Sequence, residues 1–224
     1  MALNFGRSIF TGDRERTIAS FDFLDIARNI AYEILYPGQT FNTTSNEYRL
    51  SGNKFYSGRV DTTGTTTAST ATRVINVSFD TETNQPIVID GTVIMNIPMM
   101  CLGAAGSVTE FYIVGKVVKV TTDTGIEYED ILGNKQSNFI TVNGVTEYYS
   151  IASIQIIVPL TKFRKGDKLR MKVEGWLRDT ASAGTVTGRI AHDPMSRNRS
   201  QTTDFDWGTN ETEASILVPI KIDL

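Results

Sequence analysis

Val158–Leu177, with the sequence VPLTKFRKGDKLRMKVEGWL, joins an apolar run to a strictly alternating segment through a Lys-Gly-Asp turn. Successive side chains of a β-strand point to opposite faces of a sheet, so this alternation predicts a half-buried strand. We expect its apolar side to face a core and its polar side to stay accessible. The apolar side is Leu169, Met171, Val173, Gly175 and Leu177, and the polar side is Arg170, Lys172, Glu174 and Trp176.

Segments rich in Val and Ile recur along the chain and predict a series of β-strands. Asn143-Gly144 lies between two of them and predicts a tight hairpin, because both residues tolerate positive φ. Strands without intervening helices exclude a βαβ architecture and favour a sandwich, jelly roll or closed barrel. The predicted strands are Ala71–Phe79, Pro86–Ile97, Glu110–Val120, Ile126–Leu132, Asn138–Val142, Val145–Pro159, Lys168–Leu177, Thr185–Ile190 and Ser215–Ile222.

One segment near the N-terminus has a helical period instead. From Phe21 to Leu35 the apolar residues recur at spacings of three and four, and Pro37-Gly38 follows as a stop signal. We therefore predict an N-terminal arm and helix over residues 1–38 and a β domain over residues 39–224. The Thr-rich tract from Asp61 to Thr72 is expected to be a mobile loop or an extended surface segment.

The composition argues against several classes of protein. The net charge of −3 is low for non-specific nucleic-acid binding, which depends on Lys and Arg neutralising phosphates. No apolar run approaches the length of a membrane span. The chain has one cysteine, Cys101, which we expect to be a buried small hydrophobe, and one histidine, so a zinc site is disfavoured. We expect no nucleic acid, membrane, metal or cofactor.

Residues suited to catalysis are scarce. His192 would have to supply any Ser-His-Asp or Cys-His arrangement, and we expect it to be an exposed loop residue instead. Glu127 and Glu129 lie on one face of a predicted strand and could form the carboxylate pair of a glycosidase, although a solvated strand face is the more usual role. The sequence therefore predicts no catalytic residue and a protein that is not an enzyme.

Residues suited to recognition fall into two groups. Trp176 shares the polar side of its strand with Arg170 and Lys172, and a large ring among charges is typical of protein interfaces or of sugar-binding surfaces. The second group lies in the polar tract from Ala191 to Asn210, which is longer than most loops within a domain. Its candidates are Arg197, Arg199, Phe205 and Trp207.

The segment VPLTKFRKGDKLRMKVEG resembles a passage of jelly-roll modules of the C1q/TNF-like type, in which x-Gly-Asp-x joins two apolar strands. Jelly-roll domains of phage and viral structural proteins contain similar passages, and Lys165–Leu169 is the most specific part. The resemblance implies an all-β fold, an antiparallel β-sandwich of jelly-roll type, here with one N-terminal helix and arm. The chain departs from the C1q/TNF pattern because it lacks a collagenous or stalk region.

The resemblance further implies a non-enzymatic virion structural protein, such as a capsid decoration, cement or spike-base subunit that acts through oligomeric assembly. We accordingly expect a homo-oligomer that contacts other capsid or virion proteins, is made in the host cytoplasm and is located in the virion. The alternative is a carbohydrate- or receptor-binding β-sandwich module with a glycan as its partner. A hydrolase that uses an acidic pair such as Glu127 and Glu129 is the third hypothesis.

Overall fold

The computed structural model describes residues 30–40, 47–181, 184–197 and 207–221. Within these ranges the chain forms twelve β-strands and no helix, which confirms the prediction of an all-β protein. The strands are β1 (Ile30–Gln39), β2 (Tyr48–Ser51), β3 (Asp61–Thr66), β4 (Thr72–Glu82), β5 (Ile87–Leu102), β6 (Val108–Asp123), β7 (Ile126–Gln136), β8 (Ile140–Asn143), β9 (Glu147–Phe163), β10 (Lys168–Asp179), β11 (Val186–Ala191) and β12 (Ser215–Lys221).

The strands form one mixed sheet in the order β3-β11-β5-β12-β1-β2-β4-β10-β6-β7, in which β8 also pairs with β6 and β9 with β5. The pairings among the described residues are antiparallel except for one parallel bridge, between Arg49 and Asp80. β1 connects two parts of the sheet, because its residues up to Leu35 pair with β12 and those from Tyr36 pair with β2. We call the part with β3, β11, β5, β12 and β9 half A, and the part with β2, β4, β10, β6, β7 and β8 half B.

Side chains from both halves meet in one apolar core. Two glycines permit this close approach, since a Cβ atom at Gly188 of half A would lie 2.5 Å from the ring of Phe111 in half B. A Cβ atom at Gly115 would likewise lie 2.7 Å from the sulfur of Met95. The core therefore depends on small residues at the points where the two halves touch.

The nine predicted strands are confirmed and correspond to β4 through β12. The alternation of β10 is as predicted except at Glu174: Leu169 and Met171 are at most 2% exposed and Arg170, Lys172 and Trp176 are partly exposed, whereas Glu174 of the polar side is buried at 5% exposure. The period of two is clearest in β4, β9 and β10, where buried side chains alternate with accessible ones over most of the strand, whereas β7 has no buried side chain and β12 buries four in succession.

The predicted N-terminal helix is wrong over residues 30–35, which belong to β1, and residues 21–29 lie outside the described residues. Pairing with β12 buries Leu35 in the core at 4% exposure and turns Ile34 to the opposite face. This pairing outweighs the helical spacing, because tertiary contacts override weak local propensity. Pro37-Gly38 does not end the element but continues β1 against β2. The domain division at residue 38 stays a prediction.

Two connections also differ from expectation. Gly144 has the positive φ of 67° that a turn requires, but β8 pairs with β6 and β9 with β5, so the predicted Asn143-Gly144 hairpin is wrong. This turn carries the chain from half B to half A. A two-residue hairpin lies instead at Thr124-Gly125, where both residues have positive φ and Asp123 pairs with Ile126. Within the Thr-rich tract, residues 61–66 form β3, which fits the extended alternative.

Candidate functional site

The outer face of half B is built on β10, which lies between β4 and β6. The outward side chains of β10 alternate with its core residues and meet the side chains of three neighbouring strands. Most of these side chains are charged and pair with opposite charges. We call the outward set the β10 outer row: Lys168, Arg170, Lys172, Glu174, Trp176 and Arg178.

Arg170 is the centre of an ion-pair network on this face. Its Nε and Nη2 atoms donate hydrogen bonds to the two carboxylate oxygens of Asp80 on β4, at 2.7 and 2.6 Å. Nη1 donates to Glu129 at 2.6 Å and Nη2 to Glu127 at 3.0 Å, both on β7. Only 14% of the Arg170 side chain is exposed, so the guanidinium is largely enclosed by three carboxylates. Bidentate pairs of this kind are stronger and more specific than single contacts.

The two glutamates of β7 remain ionised in this network. The hydrogen bond from Lys168 lowers the pKa of Glu127, and the hydrogen bond from Lys172 lowers the pKa of Glu129, with Arg170 contributing to both. A general acid of a glycosidase needs a raised pKa so that it stays protonated. Glu127 and Glu129 are therefore suited to ion pairing and not to the acid step that the third hypothesis assigned to this pair.

Glu174 links the ion pairs to Trp176. It is 5% exposed and accepts hydrogen bonds from Lys116 at 2.7 Å, from Arg73 at 3.1 Å and from the indole N–H of Trp176 at 3.3 Å. Burial acts to raise the pKa of Glu174, but the hydrogen bond and charge of Lys116 outweigh it and hold the pKa below its usual value. The indole orientation is thus fixed by a buried, ionised carboxylate.

Trp176 belongs to a cluster of three aromatic side chains. Its ring is parallel to that of Tyr112 on β6, with an interplanar angle of 5° and a centroid separation of 6.3 Å. Phe139 packs edge-on against Tyr112 at 4.8 Å and is 52% exposed. Sequence reasoning missed Tyr112 and Phe139, because only the strand register shows that they adjoin Trp176. A glycan as the partner of this surface stays a prediction.

The loop candidates lie elsewhere. Trp207 is 1% exposed, donates a hydrogen bond from Nε1 to Asp61 at 3.0 Å, and packs with Met100 and Ala191 of half A. Its ring is therefore a packing anchor that is not available to a ligand at the surface. Arg197 pairs with the buried Asp193 at 2.9 Å. The structure does not join these residues to Trp176 in one site, and Arg199 and Phe205 lie outside the described residues.

His192 is not the exposed loop residue that we expected. It is 1% exposed, packs against the rings of Tyr48 and Phe79, and has Nε2 3.0 Å from the hydroxyl of Thr62. Burial lowers its pKa to about 4, so the ring is neutral at physiological pH. The expected burial of Cys101 is confirmed, and that burial raises the pKa of its thiol to about 12. Both side chains serve packing in this structure.

Other features of the described residues add no further chemical centre. No group of three or more His, Cys, Asp or Glu side chains among them could hold a metal ion. None of their segments is a helix long and apolar enough to cross a membrane. An open groove of about 260 Å³ lies where β1, β4 and β12 meet, lined in part by Leu35, Thr81 and Val218. The described site candidates do not line it.

Comparison with known proteins gives structural matches only. No family model and no curated protein matches the chain. An aminopeptidase from the marine sediment archaeon Thaumarchaeota archaeon matches 86% of the chain with a TM-score of 0.54 and 10% identity. An α-amino acid ester hydrolase matches 84% with a TM-score of 0.54 and 11% identity. A CocE/NonD-family hydrolase from Staphylococcus aureus matches 86% with a TM-score of 0.50 and 12% identity.

These matches concern the fold. The chain covers 37%, 36% and 37% of the three hydrolases, so it spans just over a third of their length. At 10 to 12% identity, the similarity establishes a common arrangement of strands and does not carry over substrates or catalytic residues.

The virion interpretation is corrected by these findings. It rested on a resemblance of fold, and the fold matches hydrolases, including an archaeal and a bacterial protein. The expectations of a virion structural protein, of a decoration, cement or spike-base role, of a non-enzymatic function and of a location in the virion are therefore wrong. A structure of infectious bursal disease virus aligns with a TM-score of only 0.24, which is too low to support them.

Proposed function

We propose that this chain is the β-sandwich component of a hydrolase that cleaves ester or amide bonds. The observation that carries the proposal is the match of 84 to 86% of the chain to 36 to 37% of three hydrolases, each with a TM-score of at least 0.50. A match of this extent includes most of the strands, so the counterpart in those enzymes is a whole β unit and not a short motif.

We infer that the sheet is folded over on itself as a sandwich of jelly-roll type. Three observations support this arrangement. β1 pairs with both halves of the sheet, the inner faces of the halves share one core, and Phe111 of half B lies against Gly188 of half A. In addition, the edge strands β7 and β9 approach each other at Gly133, where a Cβ atom would lie 2.9 Å from the carbonyl oxygen of Ile157.

Within such a hydrolase, the chain serves to support and position the catalytic unit. The polar groups described above already have structural partners: Glu127 and Glu129 are held in ion pairs, and His192 is neutral and buried. We therefore assign bond cleavage to the part of the enzyme that corresponds to the length of the matched hydrolases beyond this chain.

The test is whether hydrolytic activity accompanies the chain. The tagged full chain is isolated from its source cells, fractionated by size and assayed with p-nitrophenyl esters and aminoacyl p-nitroanilides. We expect activity to elute with the chain. It should be lost in Gly188→Leu, whose side chain would overlap the Phe111 ring, and kept in Gly52→Ala, where the new Cβ meets only the flexible end of Glu33. Fractions that contain the chain but hydrolyse none of these substrates would overturn the proposal.

A further inference from the structure

The outer face of half A carries a patch of uncharged side chains. Strand register aligns Gln155 of β9 with Ile94 of β5, and continues the same row through β12 to β1. Two further isoleucines of β9 share this face, because they alternate with the buried Ile154 and Ile156. We call this set the half A patch: Ile34, Ile94, Ile151, Gln155 and Ile157; Leu217 lies in the same row but is buried at 5% exposure and is not counted in the patch.

The exposure of this patch is unusual. Ile157 is 79% exposed, Ile151 is 48% exposed and Ile34 is 45% exposed. Isoleucine is among the residues most often fully buried, and a cluster of exposed apolar side chains marks a surface that another molecule covers. By contrast, the outer face of half B is occupied by ion pairs within the chain, such as Arg170 with Asp80.

β9 supports the same conclusion from its backbone. It pairs with β5 along one edge, and among the described residues no strand is hydrogen-bonded to its other edge, although β7 approaches that edge where Gly133 meets the carbonyl oxygen of Ile157. The run from Tyr148 to Thr161 contains no charged residue, although edge strands are usually protected from association by Lys or other charges. Pro159, near the end of this run, is the one residue in the run of a type that protects an edge strand from association. The sequence of β9 is therefore typical of a strand that another molecule covers in the functional protein.

We propose that the half A patch is the interface of a homodimer, in which the outer faces of half A from two copies pack across a two-fold axis. An uncharged apolar patch selects a partner surface of the same chemistry, and the same patch on a second copy is such a surface. Interfaces of this self-complementary kind are the commonest in soluble oligomers. The dimer does not depend on the proposed hydrolase role.

The size of the patch indicates a reversible dimer. Residues Ile151 to Leu160 extend roughly 30 Å along β9 at about 3.3 Å per residue, and four strands span roughly 19 Å. Two copies would therefore bury roughly 1,100 Å², at the lower limit for a specific interface. We expect dissociation in the micromolar range, in which a concentration series shows both monomer and dimer.

The experiment is sedimentation equilibrium of the purified full chain over about 1 to 300 µM. We expect a mass that rises from one copy to two, and at least a tenfold weaker association for Ile157→Lys and for Ile34→Lys, since each places a charge in the apolar contact. Ile126→Lys is the matched control, because Ile126 is 57% exposed but belongs to β7 of half B. Circular dichroism confirms that the variants are folded.

A monomer at every concentration would overturn the proposal, and so would an assembly larger than a dimer. It would also be overturned by a dimer that Ile157→Lys and Ile34→Lys leave unchanged, or by one that Ile126→Lys weakens equally. In the first case the occupant of the patch is a different protein. In the last two cases the copies meet through another surface.

Discussion

His192 couples the stability of the fold to pH. Its pKa in the folded chain is lowered to about 4 by burial, whereas an unfolded histidine titrates near 6.5. Below about pH 6.5 the unfolded chain therefore binds a proton that the folded chain excludes, and stability falls as the pH drops toward 4. The full difference corresponds to about 3 kcal/mol. The nearby Asp61 and Asp193 oppose this shift but do not cancel it.

The measurement is the free energy of unfolding in urea at pH 7.5, 6.5, 5.5 and 5.0. We expect the natural chain to lose stability over this range and His192→Gln to lose much less, because glutamine does not take up a proton. Hydrogen bonds from Lys168 and Lys172 lower the pKa values of Glu127 and Glu129, so these two carboxylates titrate below this range and do not affect the comparison. Equal slopes for the two proteins would show that the imidazole is accessible to protons.

Arg170 should matter more than a surface arginine usually does. Arg170→Met leaves three carboxylates next to one another without their shared cation, and we expect a loss of about 1–3 kcal/mol at pH 7. Because Glu127 and Glu129 have lowered pKa values, the stability that they provide is present above their unfolded pKa and is lost as the pH falls through the folded values. The effect of the substitution should therefore shrink in acid.

The control for this prediction is Arg178→Met, which removes a more exposed pair. The Arg178 side chain is 41% exposed where it meets Glu110, against 14% for Arg170. Ion pairs between exposed side chains contribute little to stability, so this variant should be close to the natural chain in urea unfolding. If the two variants lost equal stability, the enclosure of Arg170 by three acids would have no energetic consequence.

At the scale of elements, Trp207 fixes the end of the long polar tract to half A. Replacing this buried ring by alanine removes its contact with Tyr149 and its hydrogen bond to Asp61, and we expect a loss of about 3–5 kcal/mol. Tyr128→Ala, at a side chain of β7 that is 54% exposed, should change stability by less than about 1 kcal/mol. Thermal and urea unfolding of both variants test this, and a Trp207→Ala protein as stable as the control would contradict it.

The elements also show what sequence can predict here. β10 was predicted correctly because its period of two is local and agrees with its environment. β1 was not, since its identity as a strand comes from pairing with β12, far away in the chain. The same distinction between local pattern and distant pairing applies to the candidate surface. The sequence places Arg170, Lys172 and Trp176 on one face of a strand. Their partners on β4, β6 and β7 could not be predicted, because they depend on the register between strands. Register is a property of the assembled sheet.

At the scale of the whole molecule, the outer face of half B is charged and the patch on the outer face of half A is uncharged. This difference allows an experiment to distinguish the two candidate interfaces. The sequence predicted that the β10 outer row, with Arg170 and Trp176, is the contact surface. The structure shows that its charges are paired within the chain. An interface made through that row would include charges and would weaken as salt screens them. An interface made through the half A patch would contain no charges and would not weaken as the salt concentration rises.

The dimer should therefore be insensitive to salt. Between 50 mM and 1 M sodium chloride we expect the dissociation constant to change less than about threefold, because apolar burial is not screened. Trp176→Ala should leave it unchanged, whereas Ile157→Lys should weaken it under both conditions. Sedimentation equilibrium at the two salt concentrations measures these constants. A steep loss of association at high salt, together with sensitivity to Trp176→Ala, would place the interface on half B, where the aromatic cluster of Trp176 lies beside a row of charges.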